Sequence, residues 1–593
     1  MNVVQSVAID RDAVSDLSET ASAGWPVDPR ERCDFYHRIR VFPPDVAEWR
    51  KRTVARLLKE RTLFRGVSQG DSGETVRAKL DDGISHLREI ARLASLLYGS
   101  TNESPAASCE GLGPDAERVL CRLGIFRELR PALDGVVSSD RRRILAELVP
   151  PNVRWSLQRN LTAHGKQICH ASNPTCDSCE LRNFCSTYRT AQVRGAEEKD
   201  LPTAVDFFSG AGGLSEGLIR AGFRVRLALD NDPMALRTYA LNHPAVPIER
   251  VLCRDIRTLR PGELRKMLGR DRIDVLAGAP PCQGFSHAGF RSKGTQTGYR
   301  LGRDDRNFLF EYMVTAALEL RPRMVLLENV PGMQSARKEK LSFLEAAGRM
   351  LEERGGFKTA IWRTNASAHG VPQDRIRYFL VGTAAGTLPT QPIEEYQDFR
   401  QDFDVDALPP VTLDDAIFDL PPRAAADGLA VEYFNRQVPA TEPRFRRYLT
   451  KFGILRESKL LYNHTVRYHN ERDLELYSLL RPGDDSIHFL ERHRRADLMR
   501  YRRDVFDDKY ARLRGDRPSK TIVAHLAKDG NGYVHPKQVR SISIREAARL
   551  QSFRDDYAFC GSASDQWTQL GNAVPPLLAE KIAKSLLQGL KRR

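Results

Sequence analysis

Three stretches carry side chains that could share one reaction. Residues 274–286 read DVLAGAPPCQGFS: an apolar run delivers Cys282 onto a loop stiffened by Pro280 and Pro281, whose fixed φ would hold a thiol in place. A thiolate is a strong nucleophile once its pKa is lowered or a base stands near. Standing alone, such a cysteine is as readily an inert buried one. Residues 324–333 read MVLLENVPGM and place Glu328 inside an apolar run, where an acid is costly unless it has a partner or a task. Residues 365–377 read NASAHGVPQDRIR, in which Gln373, Arg375 and Arg377 alternate and could share one face of a strand. Singly, each reads as a surface ion-pair residue. Together, a thiol, a carboxylic acid and two guanidiniums at strand ends make a site for an amidine-like base.

A second group of residues suits a nucleoside-bearing cofactor. Residues 206–217, DFFSGAGGLSEG, run from a buried strand through a glycine turn, which lets backbone approach a ligand closely. The turn lacks the dinucleotide GxGxxG spacing and the Lys-Ser/Thr of a phosphate loop. The next run ends LALDND, where Asp230 could accept from ribose hydroxyls. Asp255, in CRDIRTL, could accept from an adenine amino group.

These residues need elements to position them. VDFFSG, VRLALD, DVLAGAP and MVLLENV are short apolar runs suited to strands, with PMALRTYALN and NFLFEYMVTAALEL as helices between them. That alternation predicts an α/β domain with a mostly parallel sheet, which TAIWRTNAS and RYFLVGT extend as later strands, parallel or antiparallel. SIREAARLQSF and PPLLAEKIAKSLLQGL read as amphipathic helices near the end of the chain.

In this order, DFFSGAGGLSEG, PPCQGFS, ENV, QDRIR, REAARLQSF (545–553) and QLGNAVPPLLAEKIA (569–583) resemble the successive motifs of the cytosine-5 DNA methyltransferase family. The resemblance covers about 203–385 and 514–590. It implies a Rossmann-like core that uses S-adenosylmethionine, with Cys282 adding to C6 of a cytosine flipped from double-stranded DNA. Glu328 would hold or protonate N3, and Arg375 and Arg377 would bind the O2 side and position Glu328. It also implies cofactor contacts at Phe208, Gly210, Gly213, Asp230, Asp255, Pro280, Leu309, Asn572 and Val574. The family often has a tryptophan beside its ribose acid; Asn231 stands here. The family places target recognition between the Arg motif and REAARLQ, about 385–535, where basic residues would meet phosphates and a few polar side chains would read base edges.

Residues 169–185 read CHASNPTCDSCELRNFC, a C-x6-C-x2-C-x5-C spacing suited to a metal centre. Four thiolates could bind zinc or a [4Fe–4S] cluster. With LTAHGKQIC before it, the stretch is similar to the iron–sulfur loop of the endonuclease III and adenine glycosylase family, which favours the cluster, on Cys169, Cys176, Cys179 and Cys185. PDAERVLCRLGI (114–125) is similar to the stretch bearing that family's catalytic acid, here Asp115. The usual hairpin before it is not recognisable and no catalytic lysine is evident. A degenerate glycosylase fold for DNA binding or scaffolding is the expectation.

The 593 residues imply several domains. The expected layout is a loose start (1–32), a mostly α-helical glycosylase-like domain (33–186), a polar linker (187–202), the catalytic core (203–384), the recognition region (385–535) and a segment completing the core (536–593). Ninety-two Lys and Arg against 77 Asp and Glu leave a net charge of +15, which favours a polyanionic partner. No apolar run of ~18 residues is present to span a membrane. The start lacks a secretory pattern, so a cytoplasmic, nucleoid-associated bacterial setting is expected. Ten cysteines in a large chain of this kind suggest metal binding and catalysis rather than disulfides. The leading expectation is a DNA (cytosine-5)-methyltransferase in a restriction–modification or defence setting, with a separate nuclease as partner. The alternatives are a repair protein related to DNA glycosylases and a tRNA cytosine-5 methyltransferase.

Overall fold

The structure, a computed structural model, describes residues 113–591 except 124–150, 183–184, 198–199, 282–308, 332–336, 339–340, 385, 399–405, 429–430, 435, 437–441, 456–459, 500–508 and 529. Cys282, the residues before 113 and parts of the recognition region lie outside the described residues. The chain divides into two units, one of residues 1–195 with 429–435 and 457–461, the other holding the rest.

In the first unit, α1 (Pro114–Leu123) packs on α2 (Pro151–Gln167) through buried Ala116, Val119 and Leu120 on one side and Leu157 and Leu161 on the other. The cysteine loop follows α2. Residues 187–202 read as a linker from their polarity, yet α3 spans Ser186–Glu197. Arg, Gln, Ala and Glu are good helix formers, and no proline interrupts the run. None of its side chains is buried, so there was no apolar stripe for a periodicity argument to find.

The second unit is built on a seven-stranded sheet. Its strands are β1 (Thr203–Phe207), β2 (Arg224–Asp230), β3 (Val251–Cys253), β4 (Val275–Gly278), β5 (Met324–Asn329), β6 (Lys358–Asn365) and β7 (Ile376–Thr383), in the spatial order 3-2-1-4-5-7-6. β1 to β5 pair in parallel, and β7 runs antiparallel to both β5 and β6. Strands β1, β4 and β5 are buried at every position, as expected where helices cover both faces of a parallel sheet.

On one face Val205, Phe207, Leu229, Leu276 and Leu327 meet Leu264 of α6 (Glu263–Leu268), Met313 and Ala317 of α7 (Leu309–Leu320) and Leu344 of α8 (Phe343–Gly355). The other face carries α4 (Gly213–Ala221) and α5 (Pro233–Asn242), with the last helix of the chain, Pro576–Lys591, lying along α4. A Cβ at Gly217 would fall 2.3 Å from the Ala579 side chain, so glycine is what permits that approach. The chain leaves β1 toward β2 and β3, then returns to β4 on the other side. The carboxyl ends of β1 and β4 therefore form the switch point where such sheets bind ligands.

The helix Ile544–Leu550, expected to be amphipathic, is buried at every position, including Arg545, Glu546 and Arg549. Its charges are matched inside the protein. Arg540 donates to Glu546 at 2.7 and 2.8 Å, Arg549 pairs with Asp419 and Asp555, and Arg545 donates to the carbonyls of Tyr462, Arg554 and Tyr557. Charge marks an exposed face only when no counter-charge is folded against it.

Candidate active site

Glu328 lies one residue before the end of β5, opposite Phe379 of β7. It is 8% exposed, and its Oε1 lies 2.9 Å from the Nε of Arg377, itself buried. Burial pushes the Glu328 carboxyl above its ordinary value, and the positive charges of Arg377 and Arg375 pull it back without cancelling the rise. The next residue, Asn329, donates through Nδ2 to the carbonyl of Pro280 at 3.2 Å, while its Oδ1 accepts the Val330 N–H at 2.9 Å. The end of β5 is thus tied to a residue two places before Cys282.

Gln373 and Arg375 have their hydrogen bonds to other segments. Arg375, 2% exposed, donates from Nη1 to the Ile522 carbonyl at 2.8 Å and to Gln373 Oε1 at 3.5 Å. From Nη2 it donates to the carbonyls of Gly571 and Ala573 at 3.1 and 2.9 Å. Gln373 in turn accepts the Ile522 N–H at 3.0 Å and donates to the Leu550 carbonyl at 3.1 Å.

The glycine turn closes over the end of β1. Phe208 and Gly210 take φ of 56° and 52°, and Gly212 takes 96°. Asp230 shapes it: one carboxylate oxygen accepts the Gly210 N–H at 2.8 Å and the other the Asp232 N–H at 2.9 Å. A carboxylate has about four acceptor sites, so capacity for a ligand hydroxyl is left. Asp255 caps a short helical turn and pairs with Arg257, which holds its carboxyl below the ordinary value. Pro280 and Leu309 are buried, Val574 is buried and Asn572 is exposed. Val574 belongs to this turn in space, since a Cβ on Gly213 would fall 2.2 Å from its carbonyl oxygen.

Asp206 is a residue that the motif reading passed over. It sits near the end of β1, fully buried, with Oδ2 accepting from Ser215 at 2.6 Å; Ser215 also meets Tyr239 at 2.9 Å. Burial raises its carboxyl to about 7. The signal was available, because Asp206 interrupts an apolar strand just as Glu328 does. The ion pair from Glu216 to Arg554 at 2.6 Å had no such signal, since its partners lie far apart in sequence.

None of the four cysteines of the loop is in a disulfide. Cys169 Sγ accepts from Arg122 at 3.3 Å, and Cys179 Sγ lies 3.5 Å from His164 Nε2. Burial, with the charges of the neighbouring cysteines, pushes the Cys179 thiol up to about 12, so the four groups share one neighbourhood. Among the described residues, no three His, Cys, Asp or Glu are arranged to hold a metal ion. Asp115 is ion-paired to Arg118 at 2.6 Å.

Residues 203–588 match the C-5 cytosine-specific DNA methylase family. The chain belongs to this family. It is a DNA cytosine-5-methyltransferase, and S-adenosylmethionine is the methyl donor that membership brings. Similar proteins include the type II methyltransferase M.AgeI of Thalassovita gelatinovora, 33% identical across 64% of this chain and 98% of that one. The type II methyltransferase M.DdeI of Desulfomicrobium norvegicum is 30% identical across 64% and 88%. Among solved structures, an E. coli prophage DNA modification methyltransferase aligns over 66% of this chain and 100% of that one, at 25% identity and a TM-score of 0.48.

The residues at the switch point fit this cofactor. Asp206 Oδ1 and Ser209 Oγ are buried and have no hydrogen-bond partner among the described residues, a cost that a polar ligand or water would relieve. A Cβ at Gly210 would stand in open space, which leaves room beside the turn. Among the described residues no helix is long and apolar enough to cross a membrane.

Proposed function

We propose that the chain methylates C5 of a cytosine flipped out of double-stranded DNA, through an adduct between Cys282 and C6. The observation that carries this reading is the buried Glu328–Arg377 pair at the end of β5. A carboxyl whose proton is held above its ordinary value can donate to a ring nitrogen as negative charge develops there.

The thiolate of Cys282 bonds to C6, and the electron pair of the C5–C6 double bond moves into the ring. Glu328 gives or shares its proton with N3, so that the pair settles as an enamine with a nucleophilic C5. Arg377 orients Glu328 and would donate to O2. S-adenosylmethionine, when bound, supplies a methyl group on a positively charged sulfur. After C5 is methylated, a base such as water removes the C5 proton and the C6–S bond breaks, which restores the double bond and frees Cys282, while N3 returns its proton to Glu328. Phe208, Gly210, Gly213, Asp230, Asp255, Pro280, Leu309, Asn572 and Val574 would line the cofactor side. Residues 385–535 would choose the target site. The type II methyltransferases among its relatives support a modification role; a separate nuclease would be its partner.

We further propose that Cys169, Cys176, Cys179 and Cys185 hold a metal centre, a [4Fe–4S] cluster in preference to zinc. Four thiols in one loop, in one electrostatic neighbourhood, support it, because a cation is what allows such groups to ionise together. Iron and sulfide in anaerobically purified protein support the cluster; zinc in their place overturns it.

The methyl-transfer reading is tested with duplex DNA carrying 5-fluorocytosine, which has no C5 proton to lose. With S-adenosylmethionine, wild-type protein should form a covalent complex stable to denaturant, and Cys282→Ala should not. A complex formed equally by both would overturn the assignment of Cys282.

A further inference from the structure

We propose that Arg375 is a positioning residue for the cofactor side of the site. This rests on the cofactor reading given above. An arginine carries four N–H groups on its two terminal nitrogens. In Arg375 all four have acceptors: Ile522 O and Gln373 Oε1 for Nη1, Gly571 O and Ala573 O for Nη2. The side chain is buried, so the terminal nitrogens could take up another acceptor only by giving up one of these. Both terminal nitrogens are thus committed to the protein itself.

The acceptors indicate what the residue does. Gly571 and Ala573 flank Asn572, and the next residue, Val574, places its carbonyl against Gly213 of the glycine turn. Arg375 is itself fixed, its peptide N–H donating to Asn365 Oδ1 at 2.9 Å. Two residues on, Arg377 holds Glu328. One short stretch therefore carries the base-side pair on one arginine and clasps the cofactor-side segment 571–574 with the other. Gly571 fits the same clasp, because a Cβ there would fall 1.9 Å from the Ala524 nitrogen. Lysine at 375 would keep the charge but present a single nitrogen, which cannot span three carbonyls as the planar fork does.

The test compares Arg375→Lys with Arg377→Lys in the full chain. S-adenosylhomocysteine binding is measured by calorimetry, melting temperature in parallel, and steady-state methyl transfer with cofactor concentration varied. The expected result for Arg375→Lys is cofactor-product affinity at least tenfold weaker, with the loss in turnover efficiency carried by KM for S-adenosylmethionine. Arg377→Lys should bind S-adenosylhomocysteine as wild type does and lose kcat. An Arg375→Lys protein that binds S-adenosylhomocysteine normally and loses kcat as Arg377→Lys does would overturn the proposal. Should Arg375→Lys fail to fold, Gln373→Met removes one acceptor of the clasp and should weaken the same binding about threefold; unchanged binding there would equally overturn it. Wild-type protein that binds no S-adenosylhomocysteine would instead overturn the cofactor reading, and this role with it.

Discussion

Arg377 and Glu328 stand on adjacent antiparallel strands, with Nε and Oε1 2.9 Å apart and both side chains buried. The pair is more than a charge-neutralising contact, since Glu328 still holds its proton above the ordinary carboxyl range. If that proton serves N3, Glu328→Gln should slow single-turnover methyl transfer by about 10²–10⁴-fold while DNA affinity stays within a few-fold. The wild-type rate should be highest where Glu328 is protonated and should fall as pH rises through its raised value. The glutamine variant should lack that limb. A variant with wild-type rate would remove Glu328 from the chemistry.

Removing the arginine tests the same pair through stability. Arg377→Met leaves an uncompensated buried carboxyl, a change that costs about 3–5 kcal/mol when the charge persists. Glu328 escapes part of that cost by keeping its proton, so its folded value should rise further. A raised carboxyl favours the folded state fully below its unfolded value, and that advantage is lost as pH rises toward the folded one. The melting temperature of the variant should therefore fall short of wild type by more at pH 8 than at pH 5. An equal deficit at both would mean that Glu328 does not sense Arg377.

Gly213→Ala tests whether segment 571–574 completes the proposed cofactor site. The new Cβ would lie 2.2 Å from the Val574 carbonyl oxygen, a backbone atom with little freedom to yield. The expected outcome is S-adenosylhomocysteine binding weakened at least tenfold in calorimetry, with a lower melting temperature. Normal affinity would show that segment 571–574 is not needed to form the site.

Asp206 makes a prediction about pH. Its carboxyl is raised to about 7 from an ordinary value of 3.8. Its contribution to cofactor-free stability is thus full below pH about 4 and lost as pH climbs to about 7, on the order of 4 kcal/mol at most. Asp206→Asn keeps an acceptor for Ser215 and carries no charge. The variant should be flatter with pH and, without cofactor, more stable than wild type at pH 8 by denaturant unfolding. A parallel pH dependence in both proteins would contradict the assignment.

The parallel strands of the core were legible as short apolar runs, two of them with an acid near the end, Asp206 in β1 and Glu328 in β5. Glu328 was legible as a buried acid with a task, and the family resemblance put both Arg375 and Arg377 beside it. Arg375 was not separable from Arg377 in sequence: the two share a motif and a strand spacing, and only its carbonyl partners at 522, 571 and 573 distinguish them. Those contacts join segments about 150–200 residues apart and leave no local pattern. The helix Ile544–Leu550 misled for a related reason, since Arg540, Asp419 and Asp555 neutralise its charges from elsewhere in the chain. The polar helix Ser186–Glu197 lacked the apolar stripe by which helices are read.

The most direct test of the whole account is transfer of labelled methyl from S-adenosylmethionine to genomic DNA and, in parallel, to tRNA, with Cys282→Ala as control. The account predicts label in DNA as 5-methylcytosine, absent from tRNA and lost in the variant. Label confined to tRNA, or label in DNA that survives Cys282→Ala, would contradict it.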